Sequence, residues 1–173
     1  MWDFFETVRR RHSVRRYQTD MPVEEPKLHA ILEMAEAAPS AGDLQSYQIF
    51  AVRDPELRRR LSSAADGQTF ISEAPVCLVF CAEPARAEGE YGERGRTLYA
   101  VQDATIAAAY AQLAAVAAGL GSTWVGQFDS AGVSQILAAG EGLIPVALLS
   151  LGYAAEFPEP TPRRALDQVV QYR

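Results

Sequence analysis

The sequence predicts an α+β fold with helices on both faces of a sheet of four or five strands. Three observations carry that expectation. Helix-like and strand-like segments alternate along the chain. Val76 to Cys81 is an unbroken apolar run, as in a strand buried on both faces. Thr97 to Ala118 reads as a long helix that is apolar nearly all round. Such a helix must be covered on every side, and its small side chains let neighbouring backbones approach closely, so it belongs at the centre of a domain or of a dimer.

Each element has a local reason. From Asp3 to about Arg11, the apolar Phe4, Phe5 and Val8 suggest a short amphipathic helix, with Asp3 as N-cap and Glu6 three residues later as in a capping box. Leu28, Ile31, Leu32 and Ala35 recur at the spacing of a helix with one buried stripe, which Pro39 stops. Ile49 to Val52 is a strand candidate, and Pro55 to Ala65 a charged surface helix. Ala82 to Gly95, rich in Glu and Gly, reads as a mobile loop. In the long helix, Ile106, Tyr110, Leu113 and Ala117 mark one face and alanines cover the others. Strands are expected at Thr123 to Val125 and Val146 to Leu151, with a short helix from about Ala131 to Ala138 between them, and the tail from Phe157 reads as extended.

Composition bounds the function. The 173 residues, 49% hydrophobic and 22% charged, are ordinary for one well-buried domain. A net charge of -6 disfavours a protein devoted to holding polyanions. The amino terminus lacks the apolar core of a secretory signal, and the uncharged stretch Ala104 to Phe128 breaks at Gly119 and Gly121, so no bilayer span is read and a cytoplasmic protein is expected. Cys77 and Cys81 lie about 13 Å apart if on one strand, too far for a mutual disulfide, and read as inert buried thiols. His29 sits on a surface helix with no plausible second ligand at i+4, so no metal is expected. Trp2 reads as a packing or dimer contact. A dinucleotide fingerprint is absent, because Gly119, Gly121 and Gly126 do not follow a strand and open a helix in the required order.

Two segments could carry chemistry. Arg9 to Arg16 holds five arginines with His12 and Ser13. Arg-x-Ser-x-Arg in a turn can hold a phosphomonoester, the guanidinium forks matching its oxygens and the hydroxyl adding a short bond. The same run also fits a solvated helix end whose cations face the negative pole of the dipole. The second segment, Ala38 to Tyr47, is made of small and amide-bearing residues that permit close approach to a flat ligand, and equally suit any tight connection.

In order, Arg11-His12-Ser13-Val14-Arg15 and Pro39-Ser40-Ala41-Gly42-Asp43-Leu44-Gln45-Ser46-Tyr47 resemble the opening motifs of the nitroreductase family of FMN-dependent flavoproteins. Phe70 to Val76, Gly119 to Gly126, Leu149 to Tyr153 and Pro162-Arg163-Arg164-Ala165-Leu166 continue the likeness in register over nearly the whole chain. The resemblance implies one domain over residues 1–173, a three-layer α-β-α sandwich on a mixed sheet, and a domain-exchanging homodimer whose extended tail reaches the partner. It implies tightly bound FMN and NAD(P)H as reductant. Hydride would pass from NAD(P)H to flavin N5 and on, in a ping-pong cycle, to a flat acceptor such as a nitroaromatic or quinone.

By position, the resemblance places Arg11, Ser13 and Arg163 on the FMN phosphate, with His12 giving backbone contacts. Arg15 would lie by flavin N1 and the C2 carbonyl, where a cation eases hydride acceptance. Pro39, Ser40 and Ala41 would reach the ring from the partner, with Asp43 and Gln45 in the same loop. Gln68 would face the pyrimidine, and Val125 with Gly126 would present an amide to N5. The chain departs from the family at Asp43 for Asn, at Ser46 and Tyr47 for Pro and Trp, and at Thr161 for Lys. Long helical insertions are missing. A reductive dehalogenase, a flavin-fragmenting enzyme and a non-catalytic flavin-delivery protein stand as alternatives.

Overall fold

A computed structural model describes residues 3–173. Trp2, expected as a packing contact, lies outside the described residues. The elements are α1 (Phe4–Arg10), α2 (Glu25–Glu36), β1 (Tyr47–Val52), α3 (Pro55–Ala64), α4 (Phe70–Glu73), β2 (Val76–Ala82), α5 (Pro84–Arg94), α6 (Ala100–Ala117), β3 (Gly121–Val125), α7 (Ser130–Leu137) and β4 (Ile144–Gly152). Short 3-10 turns occur at Ala41–Asp43 and Leu166–Gln168.

The four strands form one sheet in the order β1-β2-β4-β3, and every neighbouring pair is antiparallel. The mixed sheet expected from the sequence is therefore corrected. Among the described residues, parallel pairing is confined to an isolated bridge between Ser13 and Ser122. Strand direction was hidden because the apolar run of β2, buried at every position, reports cover on both faces and says nothing of direction.

That cover gives three layers. One face of β2 and β4, with Leu78, Phe80, Leu149 and Leu151, packs on Leu28, Ile31 and Ala35 of α2 and on Ala107, Ala108, Ala111 and Ala115 of α6. The other face, with Cys77, Val79, Cys81 and Leu148, packs on Leu61 of α3, Ile71 of α4 and Val133 of α7. Cys77 and Cys81 are buried free thiols, and burial pushes Cys77 up to about 12 and Cys81 to about 11.

Helix α6 turns its smallest side chains to the sheet. Its alanines meet the sheet, while Ile106 and Leu113 are only half-buried and Tyr110 is exposed. Close approach selects the small residues for the inner face, which leaves the large ones facing outward.

Two further expectations change. Ala82 to Gly95 is largely helix α5, opened by Pro84 at its first turn, with Pro84 and Ala87 buried and the glutamates exposed. Gly92 kinks it at φ +57°, and a π-helical turn over Gly95–Tyr99 joins it to α6. The expected helix from Thr97 therefore starts regular α geometry at Ala100. His29 does have a neighbour one turn on, since its Nε2 lies 3.4 Å from Glu33 Oε1 in an exposed pair. At the amino terminus, Asp3 caps α1 by accepting from the Glu6 amide at 2.8 Å, while Glu6 pairs with Arg10.

Among the described residues no helix is long and apolar enough to cross a membrane.

Candidate functional site

The arginine run leaves α1 at Arg11 and becomes an extended strap along the sheet. Val14 donates its amide to the Ser122 carbonyl at 3.0 Å and accepts from the Thr123 hydroxyl. Beyond it, Gln18 donates to Tyr153 O at 2.9 Å and Ala155 donates to Arg16 O at 2.9 Å. Two glycines allow this close lie. A Cβ on Gly121 would stand 2.8 Å from Val14 Cγ2, and one on Gly152 would stand 2.9 Å from Tyr17 Cδ1. Underneath, the Tyr17 hydroxyl meets Ser150 Oγ at 2.7 Å, and burial pushes the Tyr17 phenol up to about 12.

Along the strap, two buried side chains bracket two exposed ones. Val14 and Tyr17 point into the core, so Arg15 and Arg16 face out. Arg11, His12, Ser13 and Arg15 then line a cleft of about 200 Å³ with Pro158, Glu159, Thr161 and Arg163 from the tail. Among the described residues, no carboxylate is within ion-pairing distance of Arg11, Arg15 or Arg163. Partial burial pulls the Arg11 guanidinium below its ordinary value, and the nearby charge of Arg163 adds to the effect. Two cations that disfavour each other gain from an anion placed between them. The site thus fits a phosphate group. Thr161, standing in the family's Lys position, lines this cleft, so a hydroxyl replaces a cation there, and Glu159 dilutes the positive charge further. An adjoining apolar groove of about 440 Å³ shares His12 and Pro158 and is floored by Val14, Leu120 and Gly121.

The end of β3 continues the site. Arg15 stacks over the Phe70 ring at 5.9 Å. Two residues earlier, Gln68 Nε2 donates to Ala65 O at 3.0 Å and reaches Gln127 O at 3.5 Å. Arg15, Gln68 and the exposed amide of Gly126, just past buried Val125, therefore share one end of the sheet. Gln68 spends its amide nitrogen on backbone carbonyls, a use its sequence position did not show.

Pro39, Ser40, Ala41, Asp43 and Gln45 do not join this cleft. Their loop precedes β1, on the opposite edge of the sheet from β3, about 14 Å away across three strand spacings. Gly42, Asp43 and Gln45 all have positive φ (56°, 57° and 51°), the conformation that Gly favours and Asp tolerates. Asp43 acts as an acceptor here, taking Gln45 Nε2 at 3.4 Å, and the Gln45 amide donates to Ser40 Oγ at 2.9 Å.

Residues not singled out in the sequence hold this loop. Asp103, 2% exposed, accepts from the Ala41 amide at 3.0 Å and the Ser46 amide at 3.4 Å. Arg86 of α5 donates to Leu44 O, and the Tyr91 hydroxyl lies against Gly42. The available signal was Asp103 itself, a solitary acid in an alanine-rich helix.

A three-layer α+β fold with an arginine-lined phosphate cleft at the tail and a sheet edge beside it defines a phosphate-anchored, cofactor-sized site rather than a dinucleotide-type one. Residues 8–71 and 65–153 match the model of the nitroreductase family, and the chain belongs to that family. It is similar to a protein named NADH dehydrogenase from Thermus thermophilus, 37% identical over 95% of this chain and 93% of that one. It is also similar to FMN reductase (NAD(P)H) of Bacillus subtilis, 30% identical over 87% of this chain and 66% of that one. Among solved structures, NADPH:FMN oxidoreductase from Vibrio harveyi complexed with NAD+ superposes with a TM-score of 0.88 at 28% identity, over 98% of this chain and 77% of that one.

Proposed function

We propose that residues 1–173 form one flavin-binding unit in which Arg11, Ser13, Thr161 and Arg163 hold the phosphate of FMN. The protein is an FMN-dependent NAD(P)H oxidoreductase. The observation that carries the assignment is the convergence of Arg11, Ser13, Arg15 and Arg163 in one cleft, with Arg11 and Arg163 close enough to disfavour each other's charge. Bound FMN supplies a two-electron carrier, reduced by NAD(P)H and reoxidised by a flat acceptor such as a nitroaromatic or quinone, so that both use one face in ping-pong order.

The chain's own residues do the rest. Arg15, braced on Phe70, would hold a fixed positive charge beside the ring of a bound flavin, where it would lower the cost of building negative charge. Val125 and Gly126 offer a backbone donor from the rigid end of β3, and Gln68 closes the pyrimidine side. His12 contributes backbone to the phosphate cleft. No side chain is required as acid or base, since the cofactor carries the chemistry and the protein orients it.

The ring-side loop, Pro39, Ser40, Ala41, Asp43 and Gln45, comes from a second copy of the chain. Three features support a homodimer: the loop's distance from the cleft, the exposed Tyr110 and half-buried Leu113 of α6, and the exposed apolar residues Phe157, Leu166, Val169 and Tyr172 of the tail. Phe4 and Phe5 of α1, 66% and 69% exposed, extend that surface. The reading places the protein in the cytoplasm, where NAD(P)H is supplied.

An anaerobic visible spectrum of the purified protein, before and after NADH and then NADPH, tests the function. A flavin spectrum that bleaches is expected. One that stays oxidised with both donors removes the oxidoreductase reading in favour of flavin delivery, and no flavin after FMN is added removes both.

A further inference from the structure

Asp103 is the one buried carboxylate among the described residues, and neither the family resemblance nor the mechanism above uses it. Its two oxygens take the amides at the two ends of one turn, Ala41 at 3.0 Å and Ser46 at 3.4 Å. Between those ends lie the three positive-φ residues Gly42, Asp43 and Gln45. A backbone held in that conformation at two residues with side chains needs support from outside the turn. Asp103 supplies it from α6, the helix whose inner face is locked on the sheet.

The second contact is tied to a departure from the family pattern. Where the family has Pro, which carries no amide hydrogen, this chain has Ser46, fully buried, with its hydroxyl unpartnered and its amide on Asp103. A proline there would also oppose the left-handed Gln45 before it. The serine thus brings both the amide that Asp103 grips and a turn that proline would not allow.

The geometry points to Asp103 as a positioning residue of the flavin site. By gripping both ends of the 41–46 turn, it fixes where Ser40 to Gln45 meet the flavin bound by the partner copy. The inference rests on the flavin assignment above and names a residue that assignment leaves out.

Two substitutions test it in the full-length, FMN-loaded protein. Asp103→Asn keeps the shape but turns one acceptor into an NH2 facing an amide donor. Ala41→Pro deletes one of the gripped amides: Ser40 before it is extended at φ -138°, ψ 162° and accepts a following proline, but the ring Cδ takes the place of the amide hydrogen and pushes the Asp103 carboxylate off the turn. Each is expected to weaken FMN binding by roughly tenfold and to shift the visible flavin band of the folded protein, whatever the change in melting temperature. The double variant is expected to lose no more than the weaker-binding single variant, because either substitution already breaks the hold of Asp103 on the turn. If Asp103→Asn does not fold, Ala41→Pro alone decides. Variants that bind FMN with wild-type affinity and spectrum, at whatever melting temperature, overturn the inference and leave the flavin assignment standing. Additive losses in the double variant also overturn it. Wild-type protein that binds no FMN overturns the flavin assignment and this inference with it.

Discussion

Replacing Gly121 by alanine probes how the strap of residues 13–17 builds the phosphate cleft. The added Cβ would stand 2.8 Å from Val14 Cγ2 and 2.9 Å from both Val14 Cβ and Val14 Cγ1. Carbon atoms pack at about 3.5–4.0 Å, so the two backbones must separate by roughly 1 Å or Val14 must leave its rotamer. Val14 has little freedom to yield. It is 3% exposed, and its amide and carbonyl are both bonded to β3. Overpacking of this kind costs about 1–3 kcal/mol, and 2 kcal/mol in a chain of this size lowers the melting temperature by roughly 4–8 °C. Because Ser13 and Arg15 flank Val14, the same displacement should weaken FMN binding about tenfold, the equivalent of one spoiled charge-assisted bond. Differential scanning calorimetry of the apoprotein and FMN fluorescence quenching measure the two effects. Gly89→Ala is the control, since its Cβ would meet nothing within 4 Å, and it should gain about 0.5–1 kcal/mol from helix propensity. A Gly121→Ala protein that melts and binds like wild type would refute the close approach. One that melts early yet binds FMN normally would refute the link between strap and phosphate.

Arg163→Ala should weaken FMN binding by at least roughly tenfold while leaving the rate of flavin reduction in saturated protein near wild type; Arg15→Ala should do the reverse, and stopped-flow reduction with a binding titration separates them. Equal effects on both quantities would remove the division of roles. For pH, burial raises Cys77 from 9.0 and Tyr17 from 10.0, both to about 12. Both groups are neutral when protonated, so the stability they contribute is complete below pH 9 and drains as pH rises from 9 towards 12. Thermal melts between pH 8 and 10.5 should fall with pH, less steeply in Cys77→Ala or Tyr17→Phe; a flat wild-type profile would count against the burial of both.

The order of elements was legible because periodicity and breakers are local signals. The stripe Leu28, Ile31, Ala35 and the run Val76 to Cys81 appear in the structure as α2 and β2, buried as their patterns require. Helix α5 was not legible, because its buried positions are Pro84 and Ala87, too small to stand out among glutamates and glycines. Strand order was hidden for a different reason, since β4 inserts between β2 and β3 and no local pattern specifies a non-sequential neighbour. Of the site, the strap carries its own chemistry in Arg11, Ser13 and Arg15, whereas its convergence with Arg163 could be anticipated only through the resemblance of the tail to the family's. Asp103 and Tyr91 could not be found that way. Each acts on a backbone segment about 50 to 60 residues away, a long-range relation that spacing does not encode.

If the Arg11, Ser13, Arg15 and Arg163 cleft anchors a flavin by its phosphate, a flavin without that phosphate must bind more weakly. Fluorescence titration of flavin-free protein with FMN and with riboflavin, which lacks the phosphate, tests it most directly. Two guanidinium contacts correspond to FMN binding about a hundredfold tighter than riboflavin, a preference that should shrink in Arg11→Ala. Equal affinity for the two flavins would contradict the account.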